Sequence, residues 1–243
     1  MYELSVIIPT LNDATLLPLT VERLHAVAGQ SGIATEIVLV DGGSTDSTVE
    51  VASELVDEYS LLHGRVLVRA RGKEALGFGS MVRYGLAYSA GRFCALVAAD
   101  GTDPVDVLPD MVRELRAGKQ LVICSRYAES EARVSKRFRW YQSMYRKAVR
   151  LGLGAEVSDS TNGFRAFDRK YIQALGLNSN RFSVCPEITF KVLLSGGELT
   201  FVAGQPEGFP GQVSAKFALP HEILGYAYVL VRAALQRLGL PWY

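Results

Sequence analysis

Apolar and polar positions alternate in blocks through the first hundred residues. LSVIIP (Leu4 to Pro9), EIVLVD (Glu36 to Asp41), RVLVRA (Arg65 to Ala70) and FCALVAAD (Phe93 to Asp100) are short runs rich in Val, Ile and Leu that end in polar or turn residues. Such runs read as strands buried on both faces. Between them, Thr15 to Gly29, Ser47 to Tyr59 and Gly79 to Ala90 space their apolar residues three to four apart, which predicts helices. A further helix is predicted over Val105 to Leu115. The alternation implies an α/β fold with a mostly parallel central sheet and helices on both faces. Ligands bind such a sheet outside the carboxyl ends of its strands, here Thr10 to Asp13, Asp41 to Asp46, Arg71 to Gly79 and Asp100 to Asp103.

Composition adds that the chain is globular. With 49% hydrophobic and 21% charged residues in 243, it can bury a core, and its composition is not that of a disordered chain. A net charge of +1 says nothing about partners, but its distribution does. Arg133, Lys136, Arg137, Arg139, Arg146, Lys147 and Arg150 share a segment free of acids, and without these seven the remainder is 19 basic against 25 acidic residues. Phe138, Trp140, Tyr141, Met144 and Tyr145 are interleaved with them, a composition suited to an interfacial helix meeting anionic lipid. Nucleic acid is the rival partner, and the acidic remainder argues against it. The plainer alternative is a solvated cationic face.

Cys94, Cys124 and Cys185 are far apart in apolar or mixed surroundings and read as buried thiols in a reducing compartment. His25, His63 and His221 are scattered without ligand spacing. The opening MYELSVIIPT reads as a first strand and not as a signal peptide. Ile223 to Val231 is apolar and aromatic, but Arg232 and Arg237 follow, so this end is expected to lie on a membrane or pack on the domain without crossing.

Three strand ends carry candidate chemistry. DGGSTDST joins Asp41 to two glycines and to Ser44, Asp46 and Ser47, which are candidate helix caps; a well-capped turn is its simplest reading. ARGKEALGFGSM places Lys73 and three glycines before a helix, a set suited to a diphosphate. Asp100 ends an apolar run directly, which is awkward unless the acid meets a cation or a hydroxyl; capping the next helix is an equally good local account.

In order along the chain, VIIPTLND (6 to 13), IVLVDGGSTDST (37 to 48), LGFGSMVRYGLAYSAG (76 to 91), AADGTDPVDVLP (98 to 109), CSRY (124 to 127), DSTNGFRAF (159 to 167), FSVCPEITFKVLLSGG (182 to 197) and QVSAK (212 to 216) resemble glycosyltransferase family 2. The resemblance is to its inverting nucleotide-sugar transferases, especially the dolichol-phosphate mannose synthases and related polyprenyl-phosphate sugar transferases. It implies the GT-A fold, a Rossmann-like α/β sandwich, over residues 1–220, including a basic amphipathic segment at 133–153. Residues 221–243 would add a C-terminal amphipathic helix.

The resemblance also implies roles. Pro9, Thr10, Asn12, Asp13, Asp41, Gly43, Ser44, Lys73 and Gly77 would bind the nucleotide. Asp100, with Asp103, would hold Mg²⁺ or Mn²⁺, hard cations that prefer oxygen ligands. Arg126 and Lys216 would hold phosphates, and Arg126, Asn162, Gly163 and Arg165 would form the acceptor side; for Arg165 a structural ion pair is the alternative. Glu187 or Asp100 is the candidate general base for a hydroxyl acceptor, whereas a phosphate acceptor needs cations and no base.

The expected activity is transfer of a hexose from a GDP- or UDP-sugar to a polyprenyl phosphate, by a cytoplasmic protein at the inner face of a membrane. The alternatives are a small soluble hydroxyl acceptor or a non-catalytic nucleotide-sugar-binding homologue. Two departures from the family pattern motivate them: Ala98 stands where the first Asp of an Asp-x-Asp pair is usual, and GFPGQVSAK lacks the Arg usual a few residues before the Ser-x-Lys end of the motif.

Overall fold

The computed structural model describes residues 1–68, 77–125, 136–204 and 219–240, and the backbone alone at 136–142 and 219–221. Its strands are β1 (Leu4–Thr10), β2 (Thr35–Asp41), β3 (Arg65–Val68), β4 (Phe93–Leu96), β5 (Leu121–Ser125), β6 (Arg165–Asp168) and β7 (Leu199–Ala203). They form one sheet in the order β3-β2-β1-β4-β6-β5-β7. β6 runs antiparallel to β4 and β5, and the other pairs are parallel. The helices are α1 (Leu17–Ser31), α2 (Thr48–Glu58), α3 (Phe78–Tyr88), α4 (Leu108–Arg116), α5 (Lys136–Leu153), α6 (Arg169–Leu175), α7 (Val184–Leu194) and α8 (Leu219–Arg237).

Side-chain alternation along the strands builds a core on each face of the sheet. Leu4, Val6 and Ile8 of β1, with Ile37 and Leu39 of β2, face α1, α2 and α4. Ile7, Val38 and Val40 face α3 and α7. Residues 4 to 10 of β1 are all buried, and each fully buried Val, Leu or Ile contributes roughly 1.5–3 kcal/mol, so the central strands anchor the fold. A third cluster, with Val149, Leu153, Phe190, Val229 and Ala233, packs α8 and α5 onto α7.

The element boundaries depart from the sequence pattern where local chemistry intervenes. α1 runs past Gly29 and ends at Gly32, whose left-handed φ of 65° closes the helix. The helix predicted over 105 to 115 is split into a 3₁₀ turn (Val105–Val107) and α4, because Pro109 suits the first turn of a helix and not its interior. β4 is shorter than predicted. Its last ladder contact is Val97 N–H to the Ile7 carbonyl, and residues 98 to 100 turn away.

That departure opens the sheet. β1 pairs with β4 only as far as Ile7 with Leu96 but with β2 as far as Thr10 with Asp41. Pro9 lies two residues beyond Ile7, so its missing N–H falls on the side that β4 has already left and breaks no ladder bond. Strand order reverses here, from β1 toward β2 on one side and toward β4 on the other, which makes this notch the topological switch point.

Candidate functional site

Two loops are knitted together at the β1 and β2 side of the notch. Asn12, in the left-handed region at φ 54°, donates its N–H to Ser44 Oγ at 2.9 Å and accepts from Thr45 N–H through Oδ1 at 2.8 Å. Asp13 N–H donates to Thr48 Oγ1 at 2.8 Å, and Asp13 Oδ2 accepts from Leu11 N–H at 2.8 Å. Thr10 is buried, and its carbonyl accepts from Gly42 N–H at 2.8 Å. Hydrogen bonds led by the Thr48 hydroxyl hold the Asp46 carboxyl below the usual carboxylate range.

Asp41 is buried at the end of β2, where Oδ2 accepts from Gly43 N–H at 2.8 Å and Ser44 N–H at 3.0 Å, and Oδ1 accepts from Ser44 Oγ. Gly43 adopts φ 103°, so this turn requires glycine. A carboxylate carries about four acceptor sites, so these three bonds leave Asp41 room for one more donor.

The turn after β4 carries Asp100, half-buried. Its Oδ1 accepts from Thr102 N–H at 3.1 Å and Thr102 Oγ1 at 2.6 Å, while among the described residues nothing hydrogen-bonds Oδ2. Asp103 is placed differently from the paired ligand the resemblance implies. Its Oδ2 accepts from Ala98 N–H at 2.7 Å and so takes over the donor that left the ladder. Among the described residues no group of three or more His, Cys, Asp or Glu stands ready to hold a metal. Asp100, with Oδ2 unclaimed among the described residues, would suit a hard cation such as Mg²⁺, which commonly takes only one or two carboxylates.

The acceptor-side residues divide. Asn162 is buried, and its Nδ2 donates to the Cys124 carbonyl at 2.6 Å, tying the loop before β6 to the end of β5. Among the described residues, a Cβ on Gly163 would meet nothing within 4 Å.

Arg165 corrects the expectation of a phosphate ligand. It is fully buried, and its guanidinium donates to the carbonyls of Asn162 (Nε, 3.0 Å), Cys185 (2.6 Å) and Ser160 (3.1 Å) and to Thr189 Oγ1 (3.1 Å). It binds the loop before β6 to α7 from inside.

Glu187 likewise departs from the general-base role. It is 1% exposed, and its two oxygens accept from Asn178 N–H and Ser179 N–H, each at 2.8 Å. Lys191, one turn on, lies 3.0 Å from Oε1 and donates to the Gly176 carbonyl at 2.7 Å. The pair holds the segment 176 to 180, whose Asn180 carbonyl accepts from Ser80 N–H at 3.2 Å at the start of α3. Gly77 is demanded by the same contact, since a Cβ there would run into the Asn180 carbonyl. Lys73, Arg126 and Lys216 lie outside the described residues.

Sequence reasoning missed Thr20 and Arg23 of α1. Thr20 Oγ1 donates to the Ala99 carbonyl at 3.1 Å, and Arg23 Nη1 donates to the Gly101 carbonyl at 2.9 Å. Inside a helix they carry no signal of their own. Glu187 and Lys191 did carry one, because opposite charges four apart in an otherwise apolar helix read as a buried pair.

A mostly parallel sheet with helices on both faces, a buried carboxylate at one strand end and a half-buried one across the switch point is an arrangement of the GT-A fold class. Residues 5–176 match the model of glycosyl transferase family 2, and the chain belongs to that family. The dolichol-phosphate mannosyltransferase of Pyrococcus furiosus is 29% identical over 195 residues, covering 78% of this chain and 53% of the relative. The polyprenol monophosphomannose synthase of Mycolicibacterium smegmatis is 32% identical over 182 residues, 72% of this chain and 64% of the relative. A prophage bactoprenol glucosyl transferase homolog of Escherichia coli is 22% identical over 181 residues, 74% of this chain and 56% of the relative. The chain thus spans between about half and two thirds of these relatives' length.

Two solved structures share the fold. Mycobacterium tuberculosis glucosyl-3-phosphoglycerate synthase, in complex with Mn²⁺, uridine diphosphate and phosphoglyceric acid, superposes with a TM-score of 0.68 at 20% identity, covering 99% of this chain and 80% of that one. Mannosyl-3-phosphoglycerate synthase from Rubrobacter xylanophilus gives 0.72 at 18% identity, covering 98% and 74%.

Proposed function

We propose that this chain transfers a hexose, with inversion, from a nucleotide diphospho-sugar to a polyprenyl phosphate at a membrane surface. The notch between β1 and β4 suits the donor: Asp41 takes an N–H of the base, the knitted loops at Asn12 and Ser44 form the floor, and Asp100 faces the diphosphate. Asp100 would hold a divalent ion there, which would supply positive charge to the leaving diphosphate. The acceptor phosphate oxygen attacks the anomeric carbon from the face opposite the diphosphate, and the bond to the diphosphate breaks as the new C–O bond forms. A phosphate needs no base, which agrees with the burial of Glu187. Cations must hold it in line, and the family resemblance assigns Arg126 and Lys216 to that task.

The observation that carries the lipid half of this reading is the outer face of α8. Leu224, Tyr228, Val231, Leu235 and Leu238 follow one another at helical spacing, and all are exposed, Leu224 and Leu238 at 78% and 79%. The opposite face of α8, with Tyr226, Val229 and Ala233, is already packed on the domain, so the outer stripe is apolar surface without a protein partner among the described residues. Arg146, Lys147 and Arg150 are exposed on the neighbouring α5, which supplies the positive charge that anionic headgroups attract. Among the described residues no helix is long and apolar enough to cross a membrane. Docking in the interface is the mode this geometry supports.

Two measurements test the reading. Calorimetric titration of GDP and UDP, each with and without Mn²⁺, is expected to give metal-enhanced binding of one nucleotide; binding of neither would leave only the non-catalytic reading. Sugar transfer is expected to require a long-chain prenyl phosphate in vesicles, and turnover of a water-soluble acceptor alone would sink the lipid assignment.

A further inference from the structure

The turn that carries Asp100 has left the sheet, yet three of its backbone polar groups are held by side chains. Ala98 N–H donates to Asp103 Oδ2 at 2.7 Å. The Ala99 carbonyl, immediately before Asp100, accepts from Thr20 Oγ1 at 3.1 Å, and that hydroxyl also lies 3.4 Å from the Ala98 carbonyl. The Gly101 carbonyl, immediately after Asp100, accepts from Arg23 Nη1 at 2.9 Å. Thr20 is 1% exposed and so has a fixed rotamer. Gly101 takes φ 71°, and a Cβ there would stand 3.0 Å from Leu19 Cδ2, so the same face of α1 also closes on the turn sterically.

With Ala98 in place of a carboxylate and Asp103 Oδ2 engaged by the Ala98 N–H, Asp100 Oδ2 is an oxygen that the turn can offer, and its position depends on the two peptide groups that flank it. We infer that Thr20 and Arg23 are positioning residues for Asp100: α1, through one hydroxyl and one guanidinium, sets where the Asp100 carboxylate meets the donor diphosphate and its cation. This rests on the reading that Asp100 serves the donor. Groups that orient a ligand from outside its contact shell commonly change metal affinity 10-fold or more, so the contribution is measurable without turnover.

The test is calorimetry of GDP and UDP with and without Mn²⁺ on the full chain, reading the ratio of the two affinities for the nucleotide that binds. Thr20→Val keeps the shape and removes the donor; Arg23→Met keeps the stem and removes the fork; Thr20→Ser keeps the hydroxyl; Asp100→Asn is the reference. Thr20→Val and Arg23→Met are each expected to cut the Mn²⁺-dependent gain about 10-fold with metal-free affinity unchanged, and Thr20→Ser to restore it. If Asp100→Asn abolishes the gain while Thr20→Val and Arg23→Met keep it, the inference is overturned and the donor reading survives. An equal fall in metal-free affinity would also overturn it, since that marks general loss of structure. If Asp100→Asn keeps the gain, the donor reading of Asp100 falls and takes this inference with it.

Discussion

Two carboxylates at turns, Asp100 after β4 and Glu187 at the start of α7, look alike as candidate reactive groups and differ in what surrounds them. Asp100 is half-buried, with one oxygen held by Thr102 and the other without a hydrogen bond among the described residues. Glu187 is fully buried, and both its oxygens accept backbone N–H groups beside the Lys191 ammonium. A carboxylate is available for chemistry in proportion to the acceptor capacity that the fold leaves unclaimed. By that measure Asp100 belongs to the site and Glu187 to the scaffold beneath it.

The comparison can be broken most directly at Glu187. Glu187→Ala would leave Lys191 buried without its carboxylate and two N–H groups without acceptors, so a loss of about 3–5 kcal/mol is expected in denaturant unfolding. A variant that melts like the wild type and loses only turnover would return Glu187 to the catalytic set. At Asp100 the expected result is the reverse: Asp100→Asn should cost roughly 100-fold in transfer rate, about 2.7 kcal/mol of transition-state binding, with the unfolding midpoint nearly unchanged.

Arg165→Lys sharpens the same distinction on the acceptor side. A lysine offers three donors where the guanidinium offers five in a fixed fork, so stability should fall by about 2 kcal/mol, and acceptor KM should follow only through the loosened loop before β6. A large rise in acceptor KM at full stability would instead mark a phosphate ligand. The smallest effect on stability is expected on α8. Leu224→Asp combined with Val231→Asp should shift unfolding by no more than about 0.5 kcal/mol per site, because both side chains are exposed, yet abolish co-sedimentation with anionic vesicles. Unchanged co-sedimentation would remove the main support for a membrane-surface enzyme.

Particular elements show what was legible. The four apolar runs of the first half announce their strands because a parallel strand buried on both faces needs little but Val, Ile and Leu; the third departs from that expectation, since β3 lies at the sheet edge, half-buried and with Val68 exposed. The last residues of the fourth run were misread for the same reason: Val97 and Ala99 are buried, so their pattern matches a continuing strand, although past Val97 the Ala98 N–H bonds Asp103 and the Ala99 carbonyl accepts from Thr20. β6 is antiparallel inside a mostly parallel sheet, and its four residues, RAFD, hold no trace of direction. Arg165 within NGFRAF reads as a phosphate ligand or half of a structural ion pair, and only the packing of α7 and the loop before β6 shows its fork turned inward to carbonyl oxygens.

The sequence by itself determined the α/β class, the strand ends that face the site, and the acids Asp100 and Asp103 at the fourth of them, because periodicity, turn residues and charge are properties of neighbours in the chain. Only the tertiary structure decided which acid is free to act, that α1 grips the turn around Asp100, and that Arg165 and Glu187 are internal. The bonds from α1 to the Asp100 turn and from Arg165 to α7 join residues distant in the chain, and even the nearer partners of Glu187 meet it only because the chain before α7 folds back, so a carboxylate's or guanidinium's capacity is filled by whatever the fold brings within about 3 Å.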